Sequence, residues 1–317
     1  MSPMATAAAK EDGMATQWHM LHYGAVALGQ AGLIMLESTA VSKDGRSVLT
    51  NLGIWNDDQT EALHKLVHTL HEQNAKVGIQ LWHAGRKREV EGVSIAPTPI
   101  PYQNRTPQEM TEEDIQTVIL EFKEAALRAK QADFDVIEIH AAHGFLINQF
   151  LSPYLNKRTD KYGGTQEKRY QFLREIIHET RQVWDGPLFV RISADEYSDE
   201  GNNISDYVYY TSLMKEQDVD LIDCSSGGVL SVKPPQIYPG YQVPFAEKIR
   251  HEVGISTAAV GLISSGLQAE EILQNSRADL IAIGRAFLRD PFWTQTAARQ
   301  LGEQIAAPFP YSAHWFV

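Results

Sequence analysis

Seven short apolar runs rich in β-branched residues alternate along this chain with segments of helical spacing, and that alternation points to a parallel βα architecture. The runs are 32–41, 76–83, 134–140, 187–194, 219–226, 255–263 and 278–285. Helix-like stretches separate them at 19–30, 57–74, 112–131, 167–183, 205–216, 244–252, 267–274 and 291–301. Thr111 before Glu112, Glu113 and Asp114 reads as an N-cap followed by an acidic first turn, and Asp185-Gly186-Pro187 stops a helix ahead of a strand. Eight such units close a barrel, and MSPM at residues 1–4 supplies the end of the one missing strand. The expectation is an α/β chain folded as a single (β/α)8 TIM barrel over residues 1–317, its first strand truncated at the N-terminus. On this reading the chain either closes its barrel with a stub or lacks upstream residues of the natural protein.

At 317 residues, 43% hydrophobic and 21% charged, the chain can bury a large core. Its 28 basic and 40 acidic residues give a net charge of −12, so no basic field exists to hold nucleic acid or anionic lipid. No apolar run reaches the roughly 18 residues that suggest a membrane helix, and no signal peptide is legible. The lone Cys224 reads as core filler, and a cytoplasmic location is expected.

The long excursions, 84–110, 141–165 and 227–241, all follow strands and so share the face on which such barrels carry their active sites; a tail follows at 303–317. Polar residues stand at five strand ends: Glu37 with Ser38, Gln80 with His83, His140 with His143, Arg191, and Gly284 with Arg285. Each alone is commonplace, since strand ends meet solvent, but a barrel interior is otherwise filled by branched apolar side chains. Gly261 and Gly284 end neighbouring strands, where bare backbone N–H groups and Arg285 suit a phosphate; tight turns explain the glycines equally well. A phosphate site, Arg191 beneath it and Gln80 beside it suit a phosphorylated ring cofactor, with His140 and His143 facing whatever stacks above the ring.

The stretches MSPM, GLIMLESTAV, GIQLWHAGRK, VIEIHAAHGFLINQFLSPYLNKRTDKYGG, LFVRIS, LIDCSSG and IGRAFLRDPFW resemble the Old Yellow Enzymes, flavin-dependent ene-reductases, in their bacterial thermophilic-like subclass. The resemblance covers nearly the whole chain. It implies FMN held by Ser2, Pro3, Met4 and Ala5 along the flavin edge, by Ser38 and Gln80 at the pyrimidine portion, by Arg191 near N1, and by Gly261, Gly284 and Arg285 at the phosphate. It further implies NADPH or NADH as hydride donor, His140 and His143 as anchors of the substrate oxygen, and hydride transfer to the β-carbon of an activated alkene. Small-molecule substrates are the partners it implies, with a homodimer or homotetramer as the assembly.

The chain departs from that pattern in places. Phe145 stands at the usual proton-donor tyrosine, Ala5 at a flavin-tuning cysteine, and the run Ala7 to Ala9 covers the position of another active-site tyrosine. The tail, with Ala313, has no arginine from Tyr311 to Val317 to enter a neighbouring subunit's site. Two competing readings remain at this stage. One is a flavin-binding homologue with weak or no ene-reductase activity, and the other a metal-dependent barrel hydrolase using His83, His140, His143 and Glu138.

Overall fold

The computed structural model describes residues 1–230 and 234–312; residues 231–233 and 313–317, with the tail position Ala313, lie outside the described residues. Nine strands occur among them: β1 (Ile34–Ala40), β2 (Val77–Trp82), β3 (Ile95–Ala96), β4 (Gln108–Glu109), β5 (Val136–Ala141), β6 (Leu188–Ser193), β7 (Leu221–Ser225), β8 (Ser256–Ala259) and β9 (Leu280–Ile281). Seven form one sheet in the order β1-β2-β5-β6-β7-β8-β9, with every neighbouring pair parallel. Residues Met1 and Ser2 span the two edges of this curled sheet. The Met1 amino group donates to Leu33 O at 2.6 Å, Met35 N donates to Met1 O at 3.1 Å, and Ser2 N donates to Ile283 O at 2.9 Å. The small pair β3-β4 lies apart, within the long connection after β2.

Eight helices pack around the sheet, Gln17–Leu28, Asp57–His71, Glu112–Gln131, Gln166–Arg181, Ile204–Lys215, Val243–Val253, Gly266–Gln274 and Trp293–Leu301. Their starts follow local chemistry. Thr111 accepts a hydrogen bond from Asp114 N while Glu112, Glu113 and Asp114 occupy the first turn, and Asn56 caps its helix through Gln59 N. Helix Glu112–Gln131 then buries Ile115, Val118, Ile119, Phe122, Ala125, Ala126 and Ala129 on one face. None of these helices is long and apolar enough to cross a membrane.

The apolar side chains of the strands point outward into this helical layer. Ile79, Ile137, Ile139, Val190, Ile192 and Ile222 all belong to the main hydrophobic cluster, as does Cys224, whose thiol burial holds well above its usual range. Alternation therefore turns Gln80, Glu138, Arg191 and Asp223 inward, and each is 7% exposed or less. A bulge between Leu36 and Ser38 brings Ser38 into register with Gln80, which in turn pairs with Glu138. The interior expected to be branched and apolar is instead a polar belt across five strands. At the opposite, N-terminal ends of the strands a cavity of about 400 Å³ lies between Met1, Met35, Phe189, Leu221, Leu280 and Trp293.

Two expected segments are shorter in the structure. The runs 255–263 and 278–285 yield only Ser256–Ala259 and Leu280–Ile281, because the chain turns away ahead of Gly261 and Gly284. Inside the expected loop 141–165 lies a helix, Leu146–Leu151, fully buried.

Candidate active site

β5 carries His140 one residue before its end, with Arg191 as its register partner on β6, and the chain then turns sharply through His143 and Gly144, with φ of 57° and 69°. A left-handed histidine is unusual and is held there by its surroundings. Its amide donates to Ser193 Oγ at 2.8 Å, and Ser193 donates to Gly227 O at 2.7 Å. The β7 loop lies so close that a Cβ on Gly228 would stand 2.7 Å from His143 Cα, and one on Gly144 would stand 2.3 Å from Gly228 O. Lys87 ties the three loops together by donating to His143 O at 2.6 Å and Gly228 O at 2.7 Å.

Hydrogen bonds orient both imidazoles. The Ala142 amide donates to His140 Nδ1 at 3.2 Å, which leaves a neutral His140 ring with its proton on Nε2. On the other ring, the Gln242 amide donates to Ser225 Oγ at 3.1 Å, and Ser225 lies 2.7 Å from His143 Nε2. Ser225 accepts that hydrogen bond and still has its own hydrogen to give; given to His143 Nε2, it leaves the ring's proton on Nδ1, the tautomer we assign. His140 Nε2 and His143 Nδ1 are 3.4 Å apart. In the assigned tautomers neither nitrogen accepts from the other, and both N–H groups are available to one oxygen atom. Burial first, and then the cationic Arg191 and Lys87, hold both rings well below the usual histidine range, so both are neutral at pH 7.

Aromatic rings close one side. Phe145 sits edge-on to His140 at 5.0 Å and to Trp82 at 4.5 Å between centroids, and the Lys87 ammonium lies 5.2 Å from the Phe145 centroid. Burial lowers the Lys87 ammonium to about 8, aided by Arg86.

A cavity of about 350 Å³ adjoins this cradle through Ser225. Arg191, Gln242, Gly261, Gly284, Arg285 and Arg289 line it, and neither Arg285 nor Arg289 has an ion-pair partner among the described residues. Gly261 has φ 122°, and a Cβ there would meet Gln242 at 3.0 Å, so this wall needs a bare backbone. Deeper in the barrel, Ser38 donates to Gln80 at 2.9 Å and Gln80 to Glu138 at 2.7 Å, while Arg191 Nε lies 3.2 Å from Asp223 Oδ2. Burial and the Asp223 charge push Glu138 up to about 8. Met4 reaches this end, with its sulfur 3.4 Å from where a Gly284 Cβ would lie, and Ala5 is exposed beyond it. Ser2 and Pro3 instead line the cavity at the N-terminal ends of the strands. The residues around the 350 Å³ cavity fit a phosphorylated flavin. Two unpaired guanidiniums and glycine backbone suit a phosphate, and a buried arginine with a carboxamide suits the polar edge of the ring.

The sequence reading did not find Ser225, Gln242, Lys87 or Arg289. Arg289 is four residues after Arg285 on the short helix Arg285–Arg289, a spacing that carries a signal. The polar motif after the histidines is structural. Asn156 donates to Phe150 O and Tyr162 O at 2.8 and 2.7 Å, and Arg158 holds Pro97 O and Met110 O. Glu138 points into the barrel, and His83 Nδ1 is taken by the Gly85 amide. Among the described residues no group of three or more His, Cys, Asp or Glu could hold a metal ion, so the hydrolase reading lacks its centre.

Comparisons with known proteins place the chain in a family. The model of the NADH:flavin oxidoreductase / NADH oxidase family matches residues 1–304. The chain is 55% identical to proteins named NADPH dehydrogenase from Geobacillus sp. (strain WCH70) and Bacillus subtilis (strain 168), over 99% of its length and 93% and 94% of theirs. Among solved structures, morphinone reductase superposes with a TM-score of 0.81 at 24% identity, covering 98% of this chain and 87% of that one, a likeness of fold. The old yellow enzyme homologue from Zymomonas mobilis superposes with a TM-score of 0.80 at 22% identity, covering 96% of this chain and 89% of that one. The chain belongs to the NADH:flavin oxidoreductase / NADH oxidase family, within its Old Yellow Enzyme group, and is an FMN-dependent oxidoreductase supplied by a reduced nicotinamide.

Proposed function

We propose that this protein is an NAD(P)H-dependent ene-reductase whose acceptor is held by its oxygen between His140 and His143. The observation that carries the reading is the pair of neutral rings whose free N–H groups converge 3.4 Å apart beside Arg191 and the Ser225 edge of the cavity. Bound FMN supplies the hydride, gained from NAD(P)H and passed to the β-carbon of an α,β-unsaturated carbonyl or to a quinone or nitro compound. Arg285 and Arg289 would hold its phosphate with Gly261 and Gly284, Gln80 and Ser38 its pyrimidine edge, Arg191 its N1 side, and Met4 and Ala5 the exposed edge.

His140 and His143 each donate one N–H to the acceptor's oxygen and carry the negative charge that grows there. Being neutral, they stabilise that charge without losing a proton; removing one such donor typically costs ~10² to 10³-fold in rate. Lys87 and Gly228 keep His143 in its left-handed turn. Phe145 supplies no proton, so the α-carbon takes its proton from water, and acceptors needing no carbon protonation are favoured. Trp82 and Phe145 shape the wall against which the acceptor's carbon skeleton packs.

The same reading makes Met1 and Ser2 the short first strand of an eight-unit barrel in a single domain, working in the cytoplasm. The test is anaerobic incubation with NADPH and 2-cyclohexenone, with the products quantified. One cyclohexanone per NADPH consumed is expected. NADPH consumption with a quinone but never with the enone would leave a flavin reductase and refute the ene-reductase.

A further inference from the structure

Gln242 stands between the cavity of about 350 Å³ and the histidine cradle, and it is only 4% exposed. On the cradle side its Nε2 donates to Ser225 Oγ at 3.1 Å and to Ser226 Oγ at 2.9 Å, which uses both amide hydrogens. Ser225 continues to His143 Nε2 at 2.7 Å, and Ser226 accepts from the Tyr197 hydroxyl at 2.8 Å. Tyr197 is itself held in a left-handed turn, φ 57°, where its amide donates to Asp195 Oδ1 at 2.7 Å. On the cavity side Gln242 Oε1 accepts no hydrogen bond among the described residues. It lies 3.0 Å from where a Cβ on Gly261 would stand, so it belongs to the cavity wall.

A buried carbonyl oxygen without a donor is costly, and the cavity is where a donor can reach this one. The charged side chains lining that cavity, Arg191, Arg285 and Arg289, are donors only. A ligand hydroxyl lying among guanidiniums accepts from them and keeps its own hydrogen to give, and Gln242 Oε1 is placed to take it. On the flavin reading the phosphate lies at Arg285 and Arg289 and the ring beside Arg191. The side chain that joins phosphate to ring in FMN carries hydroxyl groups.

The carboxamide has a second orientation that satisfies the serines equally well. Turned over, Oε1 accepts from both hydroxyls, Ser225 has no hydrogen left for His143 Nε2, and that nitrogen carries the ring's proton instead. His143 Nδ1 is then bare toward the acceptor. A hydroxyl that donates to Oε1 from the cavity selects the first orientation, and with it the N–H on Nδ1. We propose that Gln242 is a positioning residue: its Oε1 accepts from a hydroxyl of the FMN side chain, and its amide thereby holds Ser225 so that His143 keeps its N–H toward the acceptor. This role rests on the flavin reading above and adds to it a link by which the bound cofactor sets a donor of its own acceptor site.

Gln242→Met keeps the length of the side chain and removes the carboxamide. Two quantities are read in the wild type, Gln242→Met, Ser225→Ala and the double variant. One is FMN affinity, from the recovery of free-flavin fluorescence as the holoenzyme is diluted; the other is kcat/KM for reoxidation by 2-cyclohexenone at full FMN content. Each should fall by about twofold to tenfold in Gln242→Met, the loss of one hydrogen bond. In the Ser225→Ala background the affinity loss should persist while the rate loss disappears, because the amide has no hydroxyl left to hold there. Rate losses that multiply, as a packing defect would give, or an FMN affinity that Gln242→Met leaves unchanged, overturn the proposal. A second measurement leaves Gln242 intact. An FMN analogue whose phosphorylated side chain lacks hydroxyl groups, exchanged into the wild type and Ser225→Ala, should slow reoxidation more in the wild type; equal slowing overturns the proposal. A chain that binds neither FMN nor the analogue sinks the flavin reading itself, before any variants are compared.

Discussion

Ser225→Ala removes the oxygen atom that lies 2.7 Å from His143 Nε2, and it should change which nitrogen of His143 carries the proton. In the wild type Gln242 donates to Ser225 and Ser225 sits 2.7 Å from His143 Nε2, leaving the N–H on Nδ1 toward the acceptor. Without the hydroxyl, His143 Nδ1 becomes free to accept from His140 Nε2 at 3.4 Å, and that tautomer offers the acceptor no N–H from His143. A net hydrogen bond of ~0.5 to 1.5 kcal/mol decides the balance, which corresponds to a loss of about twofold to tenfold in acceptor kcat/KM. Stopped-flow measurement of reoxidation by an enone and by a quinone reads this directly, with the FMN content of each protein measured alongside. Both acceptors should slow together, and Ser225→Thr should restore most of the rate. The opposite assignment, with His143 donating from Nε2 to Ser225, leaves Nδ1 bare already. An unchanged or faster rate in Ser225→Ala with full FMN content would therefore refute the reasoning.

Further outcomes follow from the same contacts. Gly228→Ala places a Cβ 2.7 Å from His143 Cα at a φ of 84°, so the loop must give by most of an ångström; misplacement of ~1 Å typically costs ~10²-fold, read as acceptor turnover at unchanged FMN content. Phe145→Tyr puts a hydroxyl where the chain has none, and general acid catalysis is worth ~10² to 10⁴-fold, so turnover with cyclohexenone should rise while quinone reduction stays nearly constant. If both rates move together, or neither moves, Phe145 is not limiting. Burial pushes Glu196 up from 4.5 to about 7, against hydrogen bonds from Ser152 and Asn202. The folded protein thus holds a proton the unfolded chain releases, a stabilisation present below pH 4.5 and lost as pH rises through 7, ~3 kcal/mol in order of magnitude. Denaturant melts of Glu196→Gln should lack that part of the decline; identical pH profiles would contradict the burial argument.

Much of this fold is legible in residue order because strands such as VIEIHA and LFVRIS carry their pattern locally, and capped starts such as Thr111 to Asp114 are short-range chemistry. The last two barrel strands were overestimated for the same reason. Their apolar runs continue through Gly261 and Gly284, but the backbone has by then turned to form the cavity wall. Helix Leu146–Leu151 is too short for periodicity to reveal and is held by tertiary burial. His140, His143, Arg191 and Gln80 could be placed because polar residues ending apolar strands stand out. Ser225, Gln242 and Lys87 act across 82, 17 and 56 positions of sequence, so their partners emerge only once β2, β5, β6 and β7 are assembled in one sheet. Glu138 read as a metal ligand because sequence does not show that its neighbours inside the barrel are Gln80 and Asp223.

The most direct test of the account is the visible spectrum of the purified protein, recorded anaerobically before and after NADPH and again after a quinone or enone is added. The account predicts a yellow protein with one FMN per chain, bleached by NADPH and restored by either acceptor. A colourless protein, or a yellow one that NADPH leaves unbleached, would contradict it.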